Sequence, residues 1–222
     1  MKRWVLPLSV ALVIATAGVA RAGGYDTPML YSARHMGMGG TAVAFVNDPS
    51  ALFHNPAGLA GIKKLSLMGD FSLLVGGIQA SPDLAAKSIE SEPVIAPFFL
   101  LGGGYRINEW LTLGMAVYPV ASASAKYKYE STGSQVENST TLIFVEGTLG
   151  AAINIDAARL RIGAGYRVTF VSLSRATSFD GIDTLAFDMK GFNFLGFRVG
   201  AQWDAIPNHL SFGINYRHKT VT

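Results

Sequence analysis

The sequence predicts an all-β fold, an antiparallel transmembrane β-barrel, from three observations. Apolar and polar residues alternate along seven segments of the chain. The charged residues of these segments all share the parity of the Gly/Ser/Thr face. The links between segments alternate between short and long, as they do in outer-membrane barrels.

Seven predicted strands fill the chain from residue 64 onwards. In the fifth, Leu160, Ile162 and Ala164 fall on one face, and Arg161 and Gly163 on the other. The predicted strands are 64–76, 97–107, 110–125, 141–155, 159–174, 191–204 and 209–219.

A sheet of seven strands has two open edges, and each unpaired backbone group costs several kcal/mol in hydrocarbon. We therefore expect the chain to be an N-terminal portion of a longer barrel. The alternative is a chain that completes its barrel by assembly.

The placement of charge supports a membrane barrel, because one charge facing lipid at the bilayer midplane costs about 2–4 kcal/mol. No strand charge has lipid-facing parity. Lumen parity is shared by Asp70, Arg106, Glu146, Arg161, Arg167, Arg198 and Arg217. A soluble β-sandwich would show the same alternation with the faces reversed.

The lengths of the links favour the barrel over the sandwich. The short links lie near 108–109, 156–158 and 205–208, and the long polar ones at 77–96, 126–140 and 175–190. Strict alternation of the two kinds indicates periplasmic turns on the short side. Trp110 and Trp203 have outward parity beside short links, and Tyr127 and Tyr129 lie toward a long one, which resembles two aromatic girdles.

Residues 1–22 have the pattern of a secretory signal peptide. Lys2 and Arg3 precede an apolar run, and Ala20-Arg21-Ala22 offers small residues at the positions that signal peptidase reads. A membrane anchor is the weaker alternative, because the run is short for a bilayer span and contains Pro7. Export of a chain without cysteine suits a bacterial envelope protein.

Composition excludes several function classes. The net charge is only +3, and no Lys/Arg block is interleaved with aromatic residues, so we expect no nucleic-acid partner. The four histidines lack metal-ligand spacing with carboxylates, and no GxSxG elbow is present. We therefore expect no metal, no cofactor and no enzymatic activity.

Residues 23–63, between the signal and the first strand, are rich in small residues, which suits a plug inside a lumen. The stretch GMGGTAVAFVNDPSALFHNPAGLAGI resembles the N-terminal hatch of the FadL-type outer-membrane transporters of long-chain fatty acids and their aromatic-hydrocarbon-uptake relatives. Two later stretches, LTLGMAVYPVASASAKY and GFNFLGFRVGAQWDAIPNHLSFGINYRHKT, are similar to strands of that family. The domains expected are a signal peptide at 1–22, a hatch at 23–63 and the N-terminal part of the barrel at 64–222.

The resemblance implies a fourteen-stranded barrel in the outer membrane of a Gram-negative bacterium. It implies passive transport of hydrophobic compounds, foremost long-chain fatty acids, with lateral release into the membrane where the third strand is kinked. The implied partners are a hydrophobic small molecule and outer-membrane lipid, and the complete protein is expected to be a monomer. The alternative function is a non-transporting barrel of the same family that serves as scaffold or receptor for secretion or surface partners.

Candidate site residues follow from the resemblance and from parity. The resemblance assigns the hatch signature and gating to Asn55, Pro56 and Ala57. Pro119 is the candidate for the kink in the third strand, because its missing N–H removes a ladder bond. An ordinary bulge at the barrel rim is the alternative reading of Pro119.

The candidate ligand-lining residues all have inward parity. The apolar ones, which would line a path for the ligand or pack against the hatch, are Met68, Phe98 and Leu100. Arg167 and Arg198 lie nearest mid-strand, and a guanidinium there would bind a carboxylate through charge-assisted hydrogen bonds. Alternatively, the lumen arginines pair with carboxylates such as Asp70, Glu146 or Asp48.

Overall fold

The computed structural model describes residues 31–81, 88–131 and 133–220. The predicted signal peptide and residues 23–30 of the predicted hatch lie outside the described residues. The strands are β1 (Leu65–Gly76), β2 (Gln79–Ala80), β3 (Ile89–Glu90), β4 (Val94–Arg106), β5 (Leu111–Ser131), β6 (Ser134–Ile155), β7 (Leu160–Phe179), β8 (Ile182–Ile206) and β9 (Leu210–Arg217).

Helical structure in the described residues is short. The α-helices are α1 (Ala33–Gly37) and α2 (Ala51–His54), and 3-10 helices span Pro56–Gly61 and Asp156–Ala158. Within the described ranges, no helix has the length and apolar character needed to cross a membrane.

Seven of the strands form one curled antiparallel sheet in the order β1-β4-β5-β6-β7-β8-β9, and β2 pairs with β3 separately. Each strand of the large sheet is hydrogen-bonded to its neighbour in that order, so the sheet is an up-and-down meander shaped like half a barrel. The all-β fold class and the seven antiparallel strands predicted from the sequence are confirmed.

Two of the three predicted long links are wrong, because the strands continue through them. A tight turn containing Gly133 joins β5 to β6, and a turn at Asp180-Gly181 joins β7 to β8. These three turn residues have positive φ, between 49° and 82°. Above the membrane both faces of a strand are solvated, so the ladder persists there while the apolar alternation that marks a strand in sequence disappears.

The outward face of β6 shows where the lipid-facing band ends. From Ile143 to Ile155 every second residue is apolar or glycine, and Leu149 in the middle is 59% exposed. Thr141, Ser139 and Glu137 continue the same face in polar form. The strand therefore leaves the hydrocarbon near residue 143 and extends beyond it.

The aromatic residues form the predicted girdle beside the short turns but not the one predicted toward the long link. Trp110 and Trp203 are exposed beside short turns, and Trp203 stacks on Phe212 with ring centroids 5.9 Å apart. The structure corrects the placement of Tyr127 and Tyr129 in a second girdle. A bulge between Pro119 and Ala121 adds one residue to β5 and reverses its alternation, so both tyrosines lie on the inward face.

We expect Leu149→Arg to impair membrane assembly, because a guanidinium at the middle of the lipid-facing band costs about 2–4 kcal/mol. Ser139→Arg is the matched control, since it lies on the same face of β6 but above the band. The folded fraction of each variant is measured by heat-modified mobility in a gel. Equal folded fractions for the two variants would contradict the assigned band.

Candidate functional site

The N-terminal segment, residues 31–63, lies against the inward face of the sheet. Its buried apolar residues share one core with inward side chains of the strands. The segment contributes Tyr31, Ala42, Val46, Ala51, Leu52, Leu59, Ala60 and Ile62, and the sheet contributes Ala96, Phe98, Leu100, Ala116, Tyr118 and Ala152. The inward face is therefore a packed interior wherever the segment covers it.

The Asn55-Pro56-Ala57 sequence sets the path of this segment. Asn55 ends α2 and begins the following 3-10 helix, where its Oδ1 accepts a hydrogen bond from the Ala57 N–H at 3.1 Å. Pro56 occupies the first helical turn, where its missing N–H costs nothing and its fixed φ suits the helix. Three residues therefore turn the chain from one helical turn to the next.

A set of inward glycines lets this turn approach the sheet backbone. A Cβ on Gly163 would overlap the backbone of Pro56 and Ala57, and one on Gly200 would overlap the side chain of Asn55. A Cβ would overlap a residue of the segment at four further glycines. The pairs are Gly150 with Leu52, Gly114 with Leu59, Gly104 with Ile62, and Gly213 with Val43. The segment thus rests on glycines from six neighbouring strands, β4 to β9.

The Asn55 side chain, which is fully buried, ties the segment to the last two strands. Its Nδ2 donates to the carbonyl oxygens of Val43 (2.7 Å), Ala201 (3.0 Å) and Ile214 (3.3 Å). Ala201 and Ile214 face each other across β8 and β9. One amide therefore links the segment to itself and to both strands.

Other inward polar side chains satisfy the backbone carbonyls of the segment. Gln202 Nε2 donates to Val43 O and Val46 O, both at 3.2 Å. Arg106 Nη2 donates to Ala60 O at 3.1 Å, and Tyr118 Oη donates to Leu52 O at 3.1 Å. An irregular segment buried inside a barrel needs such partners, because an unpaired buried carbonyl is costly.

A chain of rings crosses the segment toward β5. Tyr31 and Tyr118 both contact Phe53, with centroid distances of 4.9 and 5.4 Å, and Phe53 contacts His54 at 4.9 Å. The His54 Nε2–H donates to Tyr31 O at 2.7 Å. Burial lowers the pKa of His54 to about 4, so the imidazole is neutral at physiological pH.

The ladder between β4 and β5 is interrupted. The two strands pair only from Leu101↔Val117 to Arg106↔Thr112, although β4 continues to pair with β1 up to Val94. Contact resumes at Glu92, whose N–H donates to Lys126 O at 2.8 Å and whose carboxylate lies 3.4 Å from Lys128 Nζ. We call the opening between these two limits the window.

Pro119 lies within the window, on β5. It is followed by the bulge, so the reversal of alternation along β5 falls where the ladder to β4 is missing. A second proline, Pro97, lies on the opposite strand. Neither proline has an N–H that could extend the ladder across the window.

The inner side of the window is filled by side chains. Phe98, Leu100 and Tyr118 are fully buried there with Tyr31, whose hydroxyl donates to Pro119 O. Burial raises the pKa of Tyr31 above its ordinary value, so the hydroxyl keeps its proton. Met68 is only partly buried and packs at the edge of the same core.

Beside this core lies a cluster of charged residues. Arg167 and Glu146 are both fully buried and form an ion pair, and Arg217 also donates to the Glu146 carboxylate. Arg198 is 3% exposed and lies over the Phe53 ring at 5.5 Å. Among the described residues no carboxylate lies within ion-pair distance of Arg198, and its Nε has no hydrogen-bond partner.

The family model of the outer membrane protein transport proteins (OMPP1/FadL/TodX) matches residues 13–222. The chain belongs to this family. Among solved structures, the crystal structure of a Pseudomonas aeruginosa FadL homologue is similar, with a TM-score of 0.59 and 18% sequence identity. The match covers 88% of this chain and 52% of the homologue, so the chain spans about half of that protein. No curated protein matches the sequence.

Membership of the OMPP1/FadL/TodX family places the protein in the outer membrane, as the sequence predicted. The structure brings Pro119, Phe98 and Leu100 together at the window, whereas Asn55-Pro56-Ala57 lies at the far strands, β7 to β9. Arg167 and Arg198 lie beside the core, between the window and the Asn55-Pro56-Ala57 turn. Arg167 forms an ion pair with Glu146.

Several residues that line the window or hold the N-terminal segment were not predicted from the sequence. Pro97 opens a predicted strand and was available as a second ladder-breaking signal. Tyr31 and Glu92 lie outside every predicted strand, so no periodic pattern indicates them. Gln202 has inward parity, but parity alone gives no reason to single it out.

We expect Gly163→Ala to loosen the N-terminal segment, because the added Cβ would overlap the backbone of Pro56 and Ala57, which no side-chain rotation relieves. Gly147→Ala is the matched control, since a Cβ there meets no atom within 4 Å. Limited proteolysis of the folded barrels would show faster cleavage within residues 31–63 for Gly163→Ala alone. Equal protection of the two variants would refute the close contact.

Proposed function

We propose that this protein moves hydrophobic compounds across the outer membrane by passive diffusion, and that long-chain fatty acids are its main substrates. In this proposal the N-terminal segment is a hatch and the window is a lateral exit into the membrane. The observation that carries the proposal is the interrupted β4–β5 ladder, whose inner side is closed by apolar side chains of the strands and by Tyr31 of the segment.

The position of the window supports lateral release. Unpaired backbone groups are costly in hydrocarbon, so barrels normally keep every ladder complete. Here two prolines and a bulge coincide with the break, and Glu92, Lys126 and Lys128 limit it at the extracellular end. A bounded opening at membrane depth suits the passage of an apolar molecule sideways, which spares it from crossing water.

The packing of the hatch supports gating by its rearrangement. The Asn55 end is held by backbone contact with glycines and by the Asn55 amide, whereas the Tyr31 end closes the window. Loosening the first end would let the second move away from β5. Asn55, Pro56 and Ala57 therefore act in gating as the anchor of the hatch.

We expect Asn55→Ala to change the rate of uptake while leaving barrel assembly intact, because Asn55 belongs to the hatch and not to the wall. Uptake of labelled oleate and labelled toluene into cells is measured per folded molecule, with folding read from heat-modified mobility. His209→Ala, at an exposed turn on the short-link side, is the control. A folding defect with normal uptake per folded molecule would reject the gating role.

The charged cluster supports a site for the carboxylate of a fatty acid. Glu146 already accepts from Arg167 and Arg217, so the cluster carries more positive than negative charge. Arg198 is buried without a carboxylate among the described residues, and a buried cation favours an anionic partner. We therefore propose Arg198 as the first contact of the carboxylate, with Arg167 beside it and Met68, Phe98 and Leu100 along the alkyl chain.

We expect Arg198→Gln to weaken fatty-acid binding by about tenfold or more, the loss of one charge-assisted hydrogen bond, and to leave toluene binding unchanged. Arg167→Gln should have a smaller effect specific to the carboxylate, because Arg167 is shared with Glu146. Arg161→Gln is the control, since Arg161 pairs with Asp204 at 3.0 Å near the short-link side. Unchanged oleate binding in folded Arg198→Gln would eliminate the carboxylate site at this residue.

A further inference from the structure

The outward wall below the window carries an apolar groove of about 590 Å³. Leu101 and Val117, the last ladder pair below the window, form its upper end. Met115 and Leu149 form its sides, and both are more than half exposed on the outward face. The groove therefore begins where the window ends.

Glycines create this groove. Gly103 and Gly147 have the outward parity of Leu101 and Leu149, so the wall lacks a side chain at two positions of its lipid-facing band. A Cβ placed on Gly147 would meet no atom within 4 Å, so packing does not require glycine there. The empty space above Gly147 is the groove itself.

The groove continues toward the periplasmic side. A second recess of about 360 Å³ shares Leu67, Gly103, Met115 and Leu149 with the first and extends to Leu65. No lining residue of either recess carries a charge. From Val117 to Leu113 the groove follows β5 for about 13 Å at the usual strand rise. These residues pair with Gly147 to Ala151 of β6, so the groove is centred near Leu149, at the middle of the lipid-facing band.

We propose that the groove binds the alkyl chain of the transported compound as it leaves the window, an inference that rests on the lateral exit proposed above. The window lies on the extracellular side of the groove, and the groove runs from the window across the middle of the lipid-facing band toward the periplasmic side. An amphipathic molecule in the outer leaflet holds its polar end outward and its chain toward the midplane. A molecule emerging at Leu101 and Val117 thus has its chain directed along Met115 and Leu149.

The groove explains the presence of glycine in the lipid-facing band. A flat wall of leucine and isoleucine side chains would contact an alkyl chain along one side only. A chain lying over Gly147 contacts the flanking side chains on both sides. The hydrophobic effect does not act between apolar groups inside the bilayer, so these additional van der Waals contacts are what would hold the chain in the groove.

The test uses the protein in phosphatidylcholine nanodiscs with a photoreactive hexadecane analogue added directly to the bilayer. Occupancy then does not depend on passage through the barrel. After illumination, we expect saturable adducts on the peptides containing Met115 and Leu149, and unsaturable labelling elsewhere on the lipid-facing wall. Gly147→Leu fills the groove and should abolish the saturable part of the labelling, because its side chain occupies the space of the bound chain.

Ala201→Leu is the matched control, because Ala201 lies on the same outward face between Ile162 and Ile214, outside the groove. Both variants are compared at equal folded fraction, and the control should keep wild-type labelling. Unsaturable labelling at Met115 and Leu149, or equal labelling in Gly147→Leu, would overturn the proposal. Saturable labelling of the same peptides by a photoreactive phosphatidylcholine, at the same mole fraction, would assign the groove to bulk lipid and overturn it as well.

The outcome is separable from that of the transport proposal. Cells carrying the wild-type protein that take up no oleate or toluene would reject transport, while saturable labelling of the groove would still stand. Normal uptake together with unsaturable labelling would reject the groove alone.

Discussion

The structure depends on close contact between the backbone of the N-terminal segment and the backbone of the sheet. Glycines on six strands leave the inward face without side chains where residues 43–62 pass over it. An irregular segment can lie at membrane depth only where protein covers it and supplies its hydrogen bonds. The inward side chains of Gln202 and Arg106 do so from the sheet, and Asn55 does so from within the segment.

The same contact organises the charges. Arg167 and Glu146 are both fully buried, and their pairing is necessary because an isolated buried ion is strongly unfavourable. Arg198 is buried by the same core but faces the Phe53 ring, and no carboxylate lies opposite it in the described part of the chain. The cluster therefore carries more positive than negative charge, which supplies the proposed carboxylate site with its chemistry.

The barrel fold and the inward parity of the strand charges could be predicted, because lipid imposes an apolar face on every spanning strand. The prediction ended where that constraint ends. On the extracellular side of residue 143 the outward face of β6 is polar, so the strand no longer alternates as a lipid-facing strand does. The bulge near Pro119 reverses parity without a sequence signal beyond the proline itself. The contact of Glu92 with Lys126 joins segments from different predicted elements, and no local pattern encodes it.

The two ends of the N-terminal segment are held by interactions of different kinds. The Asn55 end is fixed by steric fit against glycine, which water cannot replace. The Tyr31 end is held by ring contacts and by two hydrogen bonds to the sheet, from Tyr31 to Pro119 O and from Ser32 N to Asp70 at 2.9 Å. The bond to Pro119 O contributes only about 0.5–1.5 kcal/mol net and the bond to the Asp70 carboxylate about 1.5–3 kcal/mol, because water can take the place of each. Displacement of the segment therefore costs least at the window, the place where the ladder is already open.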